Sequence, residues 1–257
     1  MILKDRKIIV TGGARGIGAS VVRAYVAEGA TVASLDILDD LGNEVAMTAT
    51  KDGPGVARFY HCDISNRLEA ESVFSTATIE MGGLNVLASI AGVDRGGPAE
   101  SLSDDDMDLI FDVNLRGTII SNQLAFKSLQ ESGGQIINVG SDAGLGGYVG
   151  LAAYGASKGA VMAWTRTVAM EWGRLGITVN SLVPAIWTPM YEEHRQRMSE
   201  SELASHEALM LQSIVLGGRL GDPERDLNPV MVFLASEGAR FITGQIIAVN
   251  GGNGMVR

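Results

Sequence analysis

Short apolar runs alternate with longer helical stretches along the whole chain, and that alternation leaves few folds open. The runs, rich in β-branched residues, are 7–11, 31–36, 56–62, 84–88, 135–139, 178–183 and 245–249. Between them lie stretches long enough for crossover helices, at 16–28, 66–81, 103–129, 153–174 and 223–234. Runs that read as continuously apolar are those of strands buried on both faces. Strands alternating with helices give right-handed crossovers and one parallel sheet covered on both sides. The sequence therefore predicts a doubly wound α/β fold, as one domain over 1–257, with no repeat and no Pro/Ser-rich linker to divide it.

Composition narrows the partners. A formal charge of −10 argues against nucleic acid or an anionic membrane surface. Cys62 is the only cysteine, so no internal disulfide and no multi-cysteine metal site is available. The chain opens MILKDRK, with charges where a secretory segment carries its apolar stretch, and no run of 18 apolar residues follows. These features predict a cytoplasmic protein without a metal, away from membranes.

One segment breaks the rhythm. Residues 186–218 are rich in Met, Glu, Arg and Ser and sit between the sixth strand and the last helix. Ligands of open α/β sheets bind at the carboxyl ends of strands, so a substrate lid with Trp187, Met190 and Met198 toward a ligand is one reading. An ordinary helical excursion, its methionines filling gaps, is the other.

The first strand runs into Thr11-Gly12-Gly13-Ala14-Arg15-Gly16-Ile17-Gly18, followed at once by a helical pattern. Glycines let a backbone approach a pyrophosphate closely, and the helix amino end offers N–H groups to the anion. Strand before and helix after is the context this motif requires. Asp36 ends the second strand, where a carboxylate accepts the adenosine ribose hydroxyls and repels a 2′-phosphate. NAD is thus the expected cofactor. Arg15 leaves three roles open: a phosphate partner, a surface cation or a partner of Asp36. Asp63, before Ile64 at the end of the third strand, is either an acceptor for the adenine amino group or a helix cap.

Tyr154 and Lys158 stand four apart in Tyr-Gly-Ala-Ser-Lys, which puts phenol and ammonium on one helix face. A nearby ammonium lowers a phenol pKa from about 10 toward the range useful for proton transfer. Ser141 lies 13 residues upstream, just past the fifth strand, where its hydroxyl is placed to bond a substrate oxygen.

The glycine-rich turn 11–18, Asn114-Leu-Arg-Gly117, Ser141 and Tyr154-Gly-Ala-Ser-Lys158 together resemble the short-chain dehydrogenase/reductase family in its single-domain form. The resemblance covers essentially the whole chain. It implies a Rossmann-type fold with a seven-stranded parallel sheet and a catalytic tetrad of Asn114, Ser141, Tyr154 and Lys158. In that tetrad Tyr154 is the acid–base group and Ser141 orients the reacting oxygen. Lys158 binds the nicotinamide ribose and Asn114 supports a water relay; read alone, Asn114 is a mid-helix amide satisfied locally. The resemblance also implies cofactor contacts from Gly12, Arg15, Gly16, Ile17, Gly18, Asp36, Asp63, Ile64, Ala91, Gly92, Pro184, Ile186 and Thr188. Val183 matches a position that usually contacts the nicotinamide amide. Two departures stand out. Ser89-Ile90 replaces the usual asparagine pair before Ala91-Gly92, so Ile90 lacks the amide bonds expected there, and Ala185 replaces a glycine after Pro184.

The reaction so implied is reversible hydride transfer between a carbinol carbon and NAD. The stretch 140–150, with Asp142, Leu145 and Tyr148, is expected to form one wall of the substrate site. Residues 93–97 form a second wall, and the lid, with Trp187 and Met190, a third. Few cations lie in these segments, so the expected substrate is a small-to-medium secondary alcohol or its ketone, with cyclic or steroid-like forms fitting the apolar lining. Arg95 is the one anchor available for a carboxylate substrate; otherwise it is a solvated loop residue. Rival readings are an NADPH-dependent biosynthetic ketone reductase, opposed by Asp36, and a non-catalytic dinucleotide-binding regulator, which has no use for Tyr154 beside Lys158. Helical stretches 103–129 and 154–174 are apolar around much of their circumference and predict a homo-oligomer, a dimer or, as the family suggests, a tetramer.

Overall fold

The computed structural model describes residues 1–196 and 198–254. Seven strands form one sheet: β1 (Lys7–Thr11), β2 (Thr31–Asp36), β3 (Val56–His61), β4 (Val86–Ser89), β5 (Gly134–Val139), β6 (Ile177–Pro184) and β7 (Ile246–Val249). Their spatial order is β3-β2-β1-β4-β5-β6-β7, and every neighbouring pair is parallel. The order reverses between β1 and β4, which opens a crevice at their carboxyl ends.

Alternation along each strand divides the core in two. On β1, Ile8 and Val10 join Val22, Tyr25 and Met231 on one face, whereas Ile9 joins Phe74, Ile120 and Val168 on the other. The expectation of continuously buried runs holds for the inner strands and fails at β3 and β7. There exposed and half-buried residues mix because both strands lie at the sheet edges.

The expected helices appear as α1 (Gly16–Ala27), α3 (Arg67–Met81), α6 (Ala152–Trp172) and α9 (Asn228–Leu234). Helix α2 (Asp39–Asp52) was not expected. Its buried face consists of Gly42, Val45, Ala46 and Ala49, too small to stand out in a polar sequence. The stretch expected as one helix over 103–129 is three pieces: α4 (Asp104–Phe111), a π-helical turn (Asp112–Gly117) and α5 (Thr118–Leu129). A second π-helical turn (Pro223–Leu227) leads into α9. Two helices occupy the segment after β6, α7 (Pro189–Arg195) and α8 (Glu200–Ser213).

A buried polar network sets α6 against β5. Asn122 on α5 and Asn138 on β5 exchange amide bonds at 2.8 and 3.0 Å. Asn138 also donates to Thr165 at 3.0 Å, and the Trp164 indole donates to Asn122 at 3.0 Å. Buried amides that satisfy one another in this way fix register as well as packing.

Candidate active site

The glycine-rich turn lies between β1 and α1. Gly12 has φ +73°, and a Cβ there would fall 2.7 Å from the Cα of Ala91, so this position requires glycine. The Thr11 hydroxyl accepts from the main-chain N–H of Ile90 at 3.1 Å and of Ala91 at 3.3 Å. That bond ties β1 to the segment after β4, so the backbone bracing at Ile90 comes from Thr11, while the isoleucine side chain is buried in the core.

Gly16, Ile17 and Gly18 open α1, whose first turn has no side-chain cap and no acidic residue. An uncapped, 12-residue helix behind a glycine cradle fits a pyrophosphate. Asp36 stands at the rim. One carboxylate oxygen accepts from Ala14 N–H at 3.0 Å; the other accepts from Ile37 and Leu38 N–H at 2.8 and 3.2 Å. Arg15 does not join it: its guanidinium pairs with Glu193 of α7 at 3.4 Å. Asp63 accepts from the N–H and hydroxyl of Ser65 at 2.9 and 2.7 Å, and the cap of α3 is Asn66. Of the two roles open to Asp63, capping is therefore taken by its neighbour. Ile64 is buried and meets Gly117.

At the carboxyl end of β5, Ser141 faces the first turns of α6. The Ser141 hydroxyl accepts from Ala143 N–H at 3.2 Å and is near enough to the Tyr154 phenol to lower its pKa. That phenol stands at about 12, raised mainly by burial and also by the Asp94 carboxylate, against a lowering contribution from Ser141. Lys158 is buried; its Nζ donates to the Val139 carbonyl at 2.9 Å and lies 5.9 Å from the centre of the Tyr154 ring. Burial lowers the ammonium to about 8.

Asn114 sits in the π-helical turn, fully buried. Its amide donates to the Val93 carbonyl at 2.9 Å and to Ser157 Oγ at 3.1 Å, and its Oδ1 accepts from Val93 N–H at 2.8 Å. Ser157, which carries no signal of its own inside Tyr-Gly-Ala-Ser-Lys, in turn donates to the Tyr154 carbonyl at 2.7 Å. A Cβ on Gly92 would stand 3.2 Å from both Asn114 Oδ1 and Lys158 Nζ, so the absent side chain lets these two groups converge. Asn114, Ser141, Tyr154 and Lys158 are thereby gathered at one end of the sheet, next to the glycine cradle.

The remaining expected residues divide. Leu145, Tyr148 and Trp187 are each about two-fifths exposed. Trp187 lies edge-to-face with Tyr191, their centroids 5.1 Å apart, and the Arg195 guanidinium stands 4.9 Å from its ring centre. Asp142 is not an open lining residue: it is 8% exposed and bonded to Asn250 and Asn253. Arg95 is exposed and pairs with Asp106 of α4 at 3.7 Å. Thr188 caps α7, accepting from Tyr191 N–H at 3.1 Å. Pro184 ends β6, and Ile186 is buried in a bridge to Gly221. The side chain of Met190 lies outside the described residues.

A family model described as enoyl-(acyl carrier protein) reductase matches residues 12–253. A 3-alpha-(or 20-beta)-hydroxysteroid dehydrogenase of Mycobacterium tuberculosis is 36% identical over 246 residues, covering 95% of this chain and 87% of that one. A 3beta-hydroxysteroid dehydrogenase of Mediterraneibacter gnavus is 35% identical over 263 residues, covering 96% and 95%. Among solved structures, levodione reductase superposes with a TM-score of 0.91 at 27% identity, covering 97% of this chain and 98% of that one.

Proposed function

The chain belongs to the short-chain dehydrogenase/reductase family and is an oxidoreductase; from that premise we propose that it interconverts secondary alcohols and ketones with NAD(H). The observation that carries the reading is the meeting of the Tyr154 phenol, the Ser141 hydroxyl and the Lys158 amine beside the glycine cradle. Bound NAD supplies the hydride acceptor. The turn 11–18 holds its pyrophosphate against α1, and Asp36 accepts the adenosine ribose hydroxyls. Tyr154 takes the proton of the alcohol, with Ser141 donating to the same oxygen. Lys158 binds the nicotinamide ribose and, when charged, favours the phenolate. Asn114 holds the Val93 segment against the site and supports proton exchange with bulk water.

A cyclic, steroid-like or diketone-derived substrate is supported by the names of the relatives and by the apolar wall of Leu145, Tyr148 and Trp187. Helices α7 and α8 act as its lid, and Arg95, engaged with Asp106, is not its anchor. The working form is a single-domain cytoplasmic homo-oligomer. No helix among the described residues is long and apolar enough to cross a membrane.

Initial rates on a panel of cyclic secondary alcohols, with NAD and NADP in parallel, test the proposal. Turnover is expected with NAD and is expected to fall at least about a hundredfold in Tyr154→Phe, the usual weight of a lost acid–base group. Undiminished turnover in that variant removes the assignment.

A further inference from the structure

The stretch that follows Ser141 is fastened from an unexpected quarter. One oxygen of the Asp142 carboxylate accepts from Asn250 Nδ2 at 2.8 Å, and the other accepts from Asn253 Nδ2 at 3.1 Å. The same Asn253 amide donates to Tyr148 Oη at 3.1 Å. Asn250 closes the turn on itself. Its amide donates to the carbonyls of Asn253 and Gly254, each at 3.1 Å, and its Oδ1 accepts from Gly252 N–H at 3.1 Å. On its other side the turn meets the chain leaving α8: Leu216 N–H donates to the Gly251 carbonyl at 2.9 Å, and Gly251 packs closely on Ile214.

An ionised carboxylate only accepts, so Asp142 orders both asparagines with their NH2 groups toward it. Asn253 carries two N–H bonds on that nitrogen, and the second is left for Tyr148. The Tyr148 ring is otherwise two-fifths exposed, with its hydroxyl tethered through this amide.

We propose that the turn 250–254, fastened by Asp142, is a specificity-determining element that fixes Tyr148 at the mouth of the active site and thereby selects among alcohols by size. Asp142, Asn250 and Asn253 are positioning residues in this scheme: they act through Tyr148 and touch no reacting atom. The proposal rests on the reading of 140–150 as a substrate wall.

Kinetics with cyclohexanol and with a 3-hydroxysteroid, each with NAD, test it in Asn253→Ala, Tyr148→Phe and the double variant. Each single variant is expected to raise KM for the steroid by about threefold to tenfold, what one hydrogen bond is worth, and Asn253→Ala is expected to leave kcat unchanged. Asn253→Ala leaves cyclohexanol within about twofold. The double variant equals Asn253→Ala, because that change already removes the bond that Tyr148→Phe removes. Equal KM changes for the two alcohols, or additive effects, overturn the proposal. Amide hydrogen exchange supplies a readout independent of turnover: Asn253→Ala and Asp142→Asn are expected to speed exchange in 141–150 and to leave α1 unchanged. Unaltered exchange in 141–150 overturns the proposal whichever alcohols react. A wild-type enzyme that oxidises neither alcohol, with exchange altered as expected, overturns the proposed substrate class and the size selection with it, while the bonds that fasten the turn stand.

Discussion

Replacing Asn114 with alanine removes three bonds at once from a fully buried position: one accepted from Val93 N–H, one given to the Val93 carbonyl and one given to Ser157 Oγ. A buried hydrogen bond contributes about 0.5–1.5 kcal/mol, and main-chain groups left without partners sit at the upper end. The expected loss is therefore about 2–4 kcal/mol. For a chain of this size each kcal/mol lowers Tm by about 2–4 °C, so Asn114→Ala is expected to melt roughly 4–16 °C below the wild type. Ser157→Ala removes only one of the three bonds, along with the hydroxyl's bond to the Tyr154 carbonyl, and is expected to fall by less than half as much. Circular dichroism melts of the three proteins at one concentration and pH provide the comparison. Asn114→Ala melting within 1 °C of the wild type would refute the view that this amide braces the π-helical turn against Val93.

Lys158→Met gives a test of opposite sign. Burial holds the amine down at about 8 from an ordinary 10.5, so the stability this group contributes is full above 10.5 and is lost as pH falls through 8. Below pH 8 the wild type carries a dehydrated ammonium. The variant is expected to be inactive, yet more stable at pH 7 by up to about 3 kcal/mol, less the Val139 bond, with the gap narrowing by pH 9.5. Urea titrations in which the two proteins run parallel across that range contradict the assignment. Asp36→Ala is expected to raise the NADP-to-NAD ratio of kcat/KM by about a hundredfold, since a like-charge clash costs several kcal/mol; an unchanged ratio means another group chooses the cofactor. Light scattering at micromolar concentration is expected to give a multiple of 27.0 kDa, and a monomer throughout would defeat the oligomer.

The parts of the molecule that could be read from sequence are those whose chemistry is local. The glycine turn with its following helix, and Tyr154 four residues before Lys158, announce themselves within a few residues. Inner strands do the same, because burial on both faces leaves no room for polar alternation. Parts hidden from such reading depend on distant partners or on small side chains. Asp142 looked like a lining residue because nothing nearby reveals its bonds to Asn250 and Asn253, more than a hundred positions on. Arg15 stayed open between three roles until Glu193, on another helix, took it. Helix α2 presents one valine among glycine and alanines inward, so its buried side has only a weak apolar signature to detect.

The wider turn at Asp112–Gly117 makes chain length matter there as well as residue type. Each residue advances an α-helix by about 100°, so deleting one would rewind the segment and swing α4 by that angle relative to α5. Ile110, now wholly enclosed, and Ile120 beyond the turn cannot both keep their seats after such a rotation. Away from Asn114 and Gly117, point changes can accumulate along this stretch, but a single-codon loss forces one flanking helix to be rebuilt, which makes it a poor place for a loop graft or a chimera junction.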